Sequence, residues 1–126
     1  MHGIAELGCV ALGGATGAAC RYLASSVGAR RSGVPAWVAI MVVNVTGCLL
    51  AGLVTGCLGG VKGSLLGPLL ITGFLGGFTT FSTAMLDAWV LWKSGRPMLA
   101  GICLIATPVV GVFAAFSGLL LWQSIA

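Results

Sequence analysis

Four apolar segments, separated by short loops, constrain the fold of this chain more than any other feature. They cover about residues 4–27, 36–58, 65–92 and 98–122, called spans 1 to 4 here, and each is long enough for a helix that crosses a bilayer. Only 6% of the 126 residues are charged, whereas about a quarter are charged in a soluble domain. The sequence therefore predicts one all-α domain over residues 1–126 that crosses a membrane four times.

Span 3 is interrupted by a run of glycine, hydroxyl and phenylalanine residues, Thr72–Thr83. Gly76 and Gly77 weaken the helix in the middle of this run. Backbone groups freed at membrane depth are tolerated only where protein buries them or where they line a polar cavity. We therefore predict that the third helix is broken at its centre, at these paired glycines, and that the break lies on an ion pathway.

The residues needed for catalysis are scarce. The two carboxylates, Glu6 and Asp87, lie in different spans, and the chain has one histidine. It contains no nucleophile–base pair, P-loop or dinucleotide-binding motif. Its five cysteines show no CxxC spacing, so they are interpreted as small buried hydrophobes rather than metal ligands. We predict that the chain is not an enzyme.

The polar residues inside the spans are mostly uncharged hydrogen-bond donors. Asn44 lies mid-membrane, where an amide needs hydrogen-bond partners. It either takes part in the protein's function or forms a contact between helices. Four hydroxyls occur within Thr79–Thr83, which is more than the repair of a broken helix requires. Such donors, together with the positive edges of phenylalanine rings, suit a small anion that loses its water. Composition alone favours ordinary packing for Phe74, Phe78 and Phe81.

The two charged residues Arg21 and Asp87 can be explained by structural roles. Arg21 either snorkels toward the first loop or forms a structural ion pair, and Asp87 could pair with Lys93 or Arg21.

Small residues four apart let helices approach closely, within one subunit or in a dimer. The pairs are Gly13 and Gly17, Gly52 and Gly56, and Gly73 and Gly77.

Three motifs in this chain resemble the fluoride channel family known as Fluc or CrcB. They are residues 13–22 (GGATGAACRY), 43–48 (VNVTGC) and 73–83 (GFLGGFTTFST), and with length and span count the similarity covers essentially the whole chain. The resemblance implies a passive fluoride-selective channel in the plasma membrane of a bacterium. It also implies a dual-topology dimer, in which two antiparallel four-span subunits form fluoride pores along their interface.

The resemblance also implies roles for individual residues. Phe81 matches the family's first pore phenylalanine, Asn44 its pore asparagine, and Arg21 the basic residue of span 1. A structural sodium ion (Na⁺) at the dimer centre would be held by the backbone carbonyls of Gly76 and Thr79. We predict that Arg21 and Asp87 are structural charges and that seven side chains form the fluoride pore: Phe81, Asn44, Thr80, Ser82, Thr83, Phe78 and Thr107.

The chain departs from the family pattern in ways that suggest an unequal pair of subunits. The second pore phenylalanine would fall at Ala84, and the polar side of span 4, usually Tyr and Ser, reads Cys103, Thr107 and Gly111. Phe78 is an alternative ring if it lies one helical turn before Phe81.

The loop charges are biased toward one side of the membrane. Loops 1 and 3 hold Arg30, Arg31, Lys93 and Arg96, whereas the side with loop 2 and both termini holds Lys62. The positive-inside rule then places the termini on the non-cytoplasmic side. Because a homodimer of opposed subunits needs a nearly balanced chain, this bias favours a heterodimer with a homologous chain.

Two alternative functions are considered. One is a non-conducting structural subunit that only completes its partner's pores. The other is a small multidrug transporter, which needs a carboxylate near the middle of span 1, whereas Glu6 lies close to its start. Six basic residues and a net charge of +4 do not imply a nucleic-acid partner.

Overall fold

Helices make up nearly all of the described chain. The computed structural model describes residues 2–59 and 64–125, and these contain no strand. The elements are α1 (His2–Ser32), α2 (Ala36–Leu58), a π-helix called π1 (Pro68–Leu75), a short turn α3 (Gly76–Phe78), α4 (Phe81–Lys93) and α5 (Pro97–Ile125). Four stretches are long and apolar enough to cross a membrane: Gly3–Gly28, Ala36–Leu58, Pro68–Lys93 and Pro97–Ile125. The predicted all-α, four-span fold is confirmed.

The two described loops each combine a glycine with a proline. Gly33 and Gly95 have φ angles of 62° and 78°, a conformation in which other residues are strained. Pro35 immediately precedes α2, and Pro97 is the first residue of α5, where the missing N–H of proline costs no helical hydrogen bond. The loop around Lys62 lies outside the described residues.

Span 3 changes its packing partner at its centre. Its first half, π1 and α3, packs mainly against α1, whereas α4 packs against α5. The remaining large contact joins α2 to α5. The middle of span 3 therefore lies where the α1 side of the subunit meets the α2 and α5 side.

The glycine pairs permit these contacts within one subunit. A Cβ added at Gly17 would collide with the carbonyl oxygen of Phe74, and one at Gly52 would collide with the carbonyl oxygen of Ala115. A Cβ added at Gly77 would likewise collide with the backbone of Gly14. Of the two interpretations of the glycine spacing, the structure supports packing inside the subunit.

Candidate ion pathway at the break in span 3

The break in span 3 lies at two threonines. Thr79 and Thr80 are extended, with φ and ψ of −80° and 155° and of −148° and 124°, whereas Gly76 is helical at −62° and −37°. The break is central, as predicted, but it begins three residues after Gly76. The prediction that the paired glycines themselves form the break is wrong, because Gly77 serves close packing against Gly14 instead.

Asn44 holds the break in place through both ends of its amide. Its Oδ1 accepts the Thr80 N–H at 2.8 Å, and its Nδ2 donates to the Thr80 carbonyl at 2.9 Å. Only 8% of Asn44 and 7% of Thr80 is exposed, so water contributes little to either backbone group. Asn44 therefore links α2 to the break, which is the helix–helix contact considered in the sequence analysis.

The hydroxyls near the break satisfy part of its free backbone. The Thr80 Oγ1 accepts the Thr83 N–H at 3.2 Å and so caps the N-terminus of α4. The same hydroxyl lies 3.1 Å from the Thr83 Oγ1 and 3.3 Å from the Ser82 Oγ. The Thr79 hydroxyl donates to the Leu75 carbonyl at 3.0 Å. Ser82 and Thr83 thus contact the predicted site through their hydrogen bonds with Thr80.

Two backbone carbonyls lose their helical donors at the break. In a continuous helix the Gly76 carbonyl would accept the N–H of residue 80, and the Thr79 carbonyl would accept that of residue 83. Here the Thr80 N–H donates to the Asn44 Oδ1, and the Thr83 N–H donates to the Thr80 Oγ1. Both oxygens are therefore released from the helical pattern at membrane depth.

A pocket of about 230 Å³ lies beside the break, between α2 and α5. Its lining contains four of the seven predicted pore residues, which are Asn44, Thr80, Phe81 and Thr107. The other lining residues are Cys48, Thr79, Ala84, Met85, Cys103, Leu104 and Pro108. None of these side chains is charged. The Phe81 residue is 76% exposed, so its ring stands at the outer surface of the single subunit.

Phe78 lies apart from this pocket. Its ring stacks on that of Phe74, with the centroids 6.0 Å apart and the planes at 7°. It also lines a different cavity, with residues of α1 and α2. The structure therefore does not bring Phe78 to Phe81. The two extended residues between α3 and α4 remove the helical register that would place these rings one turn apart.

The structural charges do not form the pairs considered from the sequence. The buried Asp87 Oδ2 has no hydrogen-bond partner within the described chain, so neither Lys93 nor Arg21 satisfies it. Lys93 instead places its Nζ 5.1 Å from the centre of the Trp89 ring, a cation–π contact. Arg21 is half-buried on α1.

Several residues of the pocket lining are not among the predicted pore residues, although Cys103 was recognised on the polar side of span 4. Cys48 follows Asn44 by four residues on α2, and Cys103 precedes Thr107 by four residues on α5. Residues four apart share one helix face, so this spacing was the available signal. Leu104 and Pro108 lie beside them, and Pro108 deprives the Leu104 carbonyl of its helical donor.

A pocket with no charged side chain, mostly apolar but lined also by an amide and hydroxyls, thus lies beside the mid-membrane break. Residues 8–119 match the family described as CrcB-like protein, Camphor Resistance (CrcB). The chain is 40% identical over 111 residues to the fluoride-specific ion channel FluC of Paracoccus denitrificans, covering 87% of this chain and 88% of that relative. It is 41% identical over 119 residues to FluC of Cereibacter sphaeroides, covering 91% and 94%.

The chain belongs to the CrcB family, as its motifs predicted. A third relative, FluC of Maridesulfovibrio salexigens, is 38% identical over 120 residues, covering 92% of this chain and 94% of the relative. Because these relatives are named ion channels, the prediction that the chain is not an enzyme is confirmed. Four spans and this family make it a multi-pass membrane protein.

Proposed function

We propose that this chain lines the pore of a fluoride-selective channel through which cytoplasmic fluoride leaves a bacterium passively. The pocket that joins Asn44, Thr80, Phe81 and Thr107 carries the proposal. It offers N–H, O–H and aromatic C–H groups without a fixed charge, so an anion exchanges its water for weak donors and leaves again. The relatives are named fluoride-specific ion channels, and this supports fluoride as the anion.

The pore is completed by a second, antiparallel subunit. Phe81 is largely exposed although it borders the polar pocket, so one wall of the pathway is missing in a single subunit. The apolar ring is itself compatible with lipid, but the Asn44 amide and the Thr107 hydroxyl in the same pocket lining are costly to leave facing hydrocarbon. The second subunit covers this face in the dimer that the family resemblance implies.

The Gly76 and Thr79 carbonyls fit a sodium ion at the dimer centre. Both have lost their helical donors at the break, and unwound carbonyls at membrane depth are typical sodium ligands. Two oxygens from each subunit would surround the ion where the two breaks meet. These carbonyl oxygens would coordinate the cation, which would hold the two breaks together, while the Asn44 contact keeps Thr80 in its extended conformation.

A heterodimer with a homologous chain is favoured over a homodimer. Ala84 lines the pocket at the position of the missing second ring, so this chain brings fewer anion contacts than the family pattern. Four exposed basic residues lie in or beside loops 1 and 3, namely Arg30, Arg31, Lys93 and Arg96. This bias holds the subunit in one orientation, with its termini on the non-cytoplasmic side.

Reconstitution of the lone chain tests the pairing. We expect little fluoride efflux from liposomes that contain this chain alone, and strong efflux from those that contain the complex purified from the native membrane through a tag on this chain. Both samples are measured at equal protein-to-lipid ratio with a fluoride electrode. Strong efflux from the lone chain would contradict the heterodimer.

Substitution of Phe81 tests whether this subunit itself lines a pore. We expect Phe81→Ile in the native complex to slow fluoride efflux by about two- to tenfold, because an aromatic edge contact contributes about 0.5–1.5 kcal/mol and 1.4 kcal/mol equals tenfold in rate. Phe113→Ile is the matched control, since Phe113 is also exposed, at 68%, and is absent from the pocket lining. Unchanged efflux in Phe81→Ile would favour the non-conducting structural subunit instead.

A further inference from the structure

Two free thiols line the pocket that we assign to fluoride. Cys48 reaches it from α2 and Cys103 from α5, and the Met85 thioether lies in the same lining. Cys103 is buried and Cys48 is half-buried. Neither residue has a role in the proposed conduction, although both line the pocket, Cys103 from the buried core and Cys48 beside Gly111.

Cys103 lies at one end of a stripe of residues on α5, and Cys48 of α2 packs against the other end of this stripe, at Gly111. Cys103, Thr107 and Gly111 recur four residues apart, so they share a helix face and rise about 6 Å per step. The Cys48 Sγ lies 3.0 Å from the position that a Cβ at Gly111 would occupy. The thiols are therefore separated by roughly 12 Å along the helix, too far for a disulfide or a shared metal ion. Thr107 lies between them.

We propose that Cys48 and Cys103 form a modification site inside the pathway, where small soft electrophiles such as thiosulfonates attack and block fluoride. The inference rests on the proposed function, because the block requires that the pocket conducts. The thiolate is the attacking group, and water that enters the pathway accepts the thiol proton. With methyl methanethiosulfonate, the sulfur bonds to the CH₃S group, the S–SO₂ bond breaks, and methanesulfinate leaves.

The other three cysteines provide a control within the same chain. Cys20 and Cys57 are exposed on the subunit surface, and Cys9 is half-buried on α1. None of these three is in the pocket lining. A methylthio group on them leaves the pathway open, whereas one on Cys48 or Cys103 projects beside Thr107 and narrows a pocket of about 230 Å³.

The test compares two variants of this chain in the complex that it forms in its native membrane, with the cysteines of any partner subunit changed to serine. The first retains Cys48 and Cys103, with Cys9, Cys20 and Cys57 changed to serine; the second carries Cys48→Ser and Cys103→Ser. Liposomes are treated with methyl methanethiosulfonate, efflux is followed with a fluoride electrode, and modified thiols are counted by peptide mass spectrometry. We expect most of the efflux to be lost in the first variant because the pathway is narrowed, to recover with dithiothreitol, and to stay unchanged in the second.

Two results would overturn the inference. One is unchanged efflux from the first variant after both thiols have been modified. The other is a mass spectrum in which Cys48 and Cys103 of the wild-type chain remain unmodified, and this readout serves even if a serine variant fails to assemble. Absence of fluoride efflux before any treatment would instead count against the proposed function, so the two failures are distinguishable.

Discussion

Replacing Asn44 with alanine is expected to release the break in span 3, destabilise the subunit and abolish fluoride efflux. The substitution removes the partner of the buried Thr80 N–H, which lies 2.8 Å from Asn44 Oδ1, and one of the two donors to the Thr80 carbonyl, which as the N-cap carbonyl of α4 keeps its helical donor. A buried backbone group left without a partner costs about 1–3 kcal/mol, so we expect a loss of about 1–3 kcal/mol from the orphaned Thr80 N–H. Thermal unfolding in detergent and efflux from liposomes measure the two effects.

Two further substitutions control for the position of Asn44. Asn44→Leu retains much of the side-chain volume but has no polar atoms, so it should lose as much stability as Asn44→Ala if the hydrogen bonds matter more than the cavity. Val42→Ala, on the same helix and 55% exposed, should be nearly neutral. Wild-type stability in both Asn44 variants would show that the amide does not hold the break.

Gly17→Ala is expected to separate α1 from the first half of span 3. An added Cβ would collide with the carbonyl oxygen of Phe74 and lie 2.9 Å from the Phe78 nitrogen. These atoms belong to the backbone, which cannot rotate away as a flexible side chain does, so overpacking should cost about 1–3 kcal/mol or more. We expect a lower unfolding temperature in detergent and less assembled channel on size-exclusion chromatography.

Gly8→Ala is the matched control for this experiment. Gly8 lies on the same helix, and a Cβ there would meet no atom within 4 Å. Because alanine favours helix more than glycine does, this variant should be as stable as the unmodified chain or slightly more so. Equal stability of the Gly17 and Gly8 variants would contradict the close approach of α1 and π1.

The sequence predicts the spans well because their signal is local. Uninterrupted apolar length defines a helix that crosses the membrane, and the glycine and proline residues of the loops mark where helices end. Asn44 and Thr80 were also recognisable as site residues, since a polar group in hydrocarbon needs a partner. The pocket that joins Asn44, Thr80, Phe81 and Thr107 agrees with these local signals.

The position of the break was not predictable in the same way, because it depends on contacts between distant residues. Gly76 and Gly77 are the only adjacent glycines in span 3, yet the backbone opens at Thr80. Asn44, 36 residues away in sequence, supplies replacement hydrogen bonds there. The shifted break also places Phe78 beside Phe74 rather than Phe81. Local propensity therefore located the break only to within one helical turn.

The central claim is that this chain lines a path for fluoride, and anion efflux tests it most directly. The native complex, purified through a tag on this chain, is reconstituted into liposomes loaded with fluoride and chloride, and each anion is followed with its own electrode. The account predicts that fluoride leaves rapidly down its gradient while chloride is retained. Equal release of the two anions, or retention of fluoride by liposomes that contain assembled complex, would contradict it.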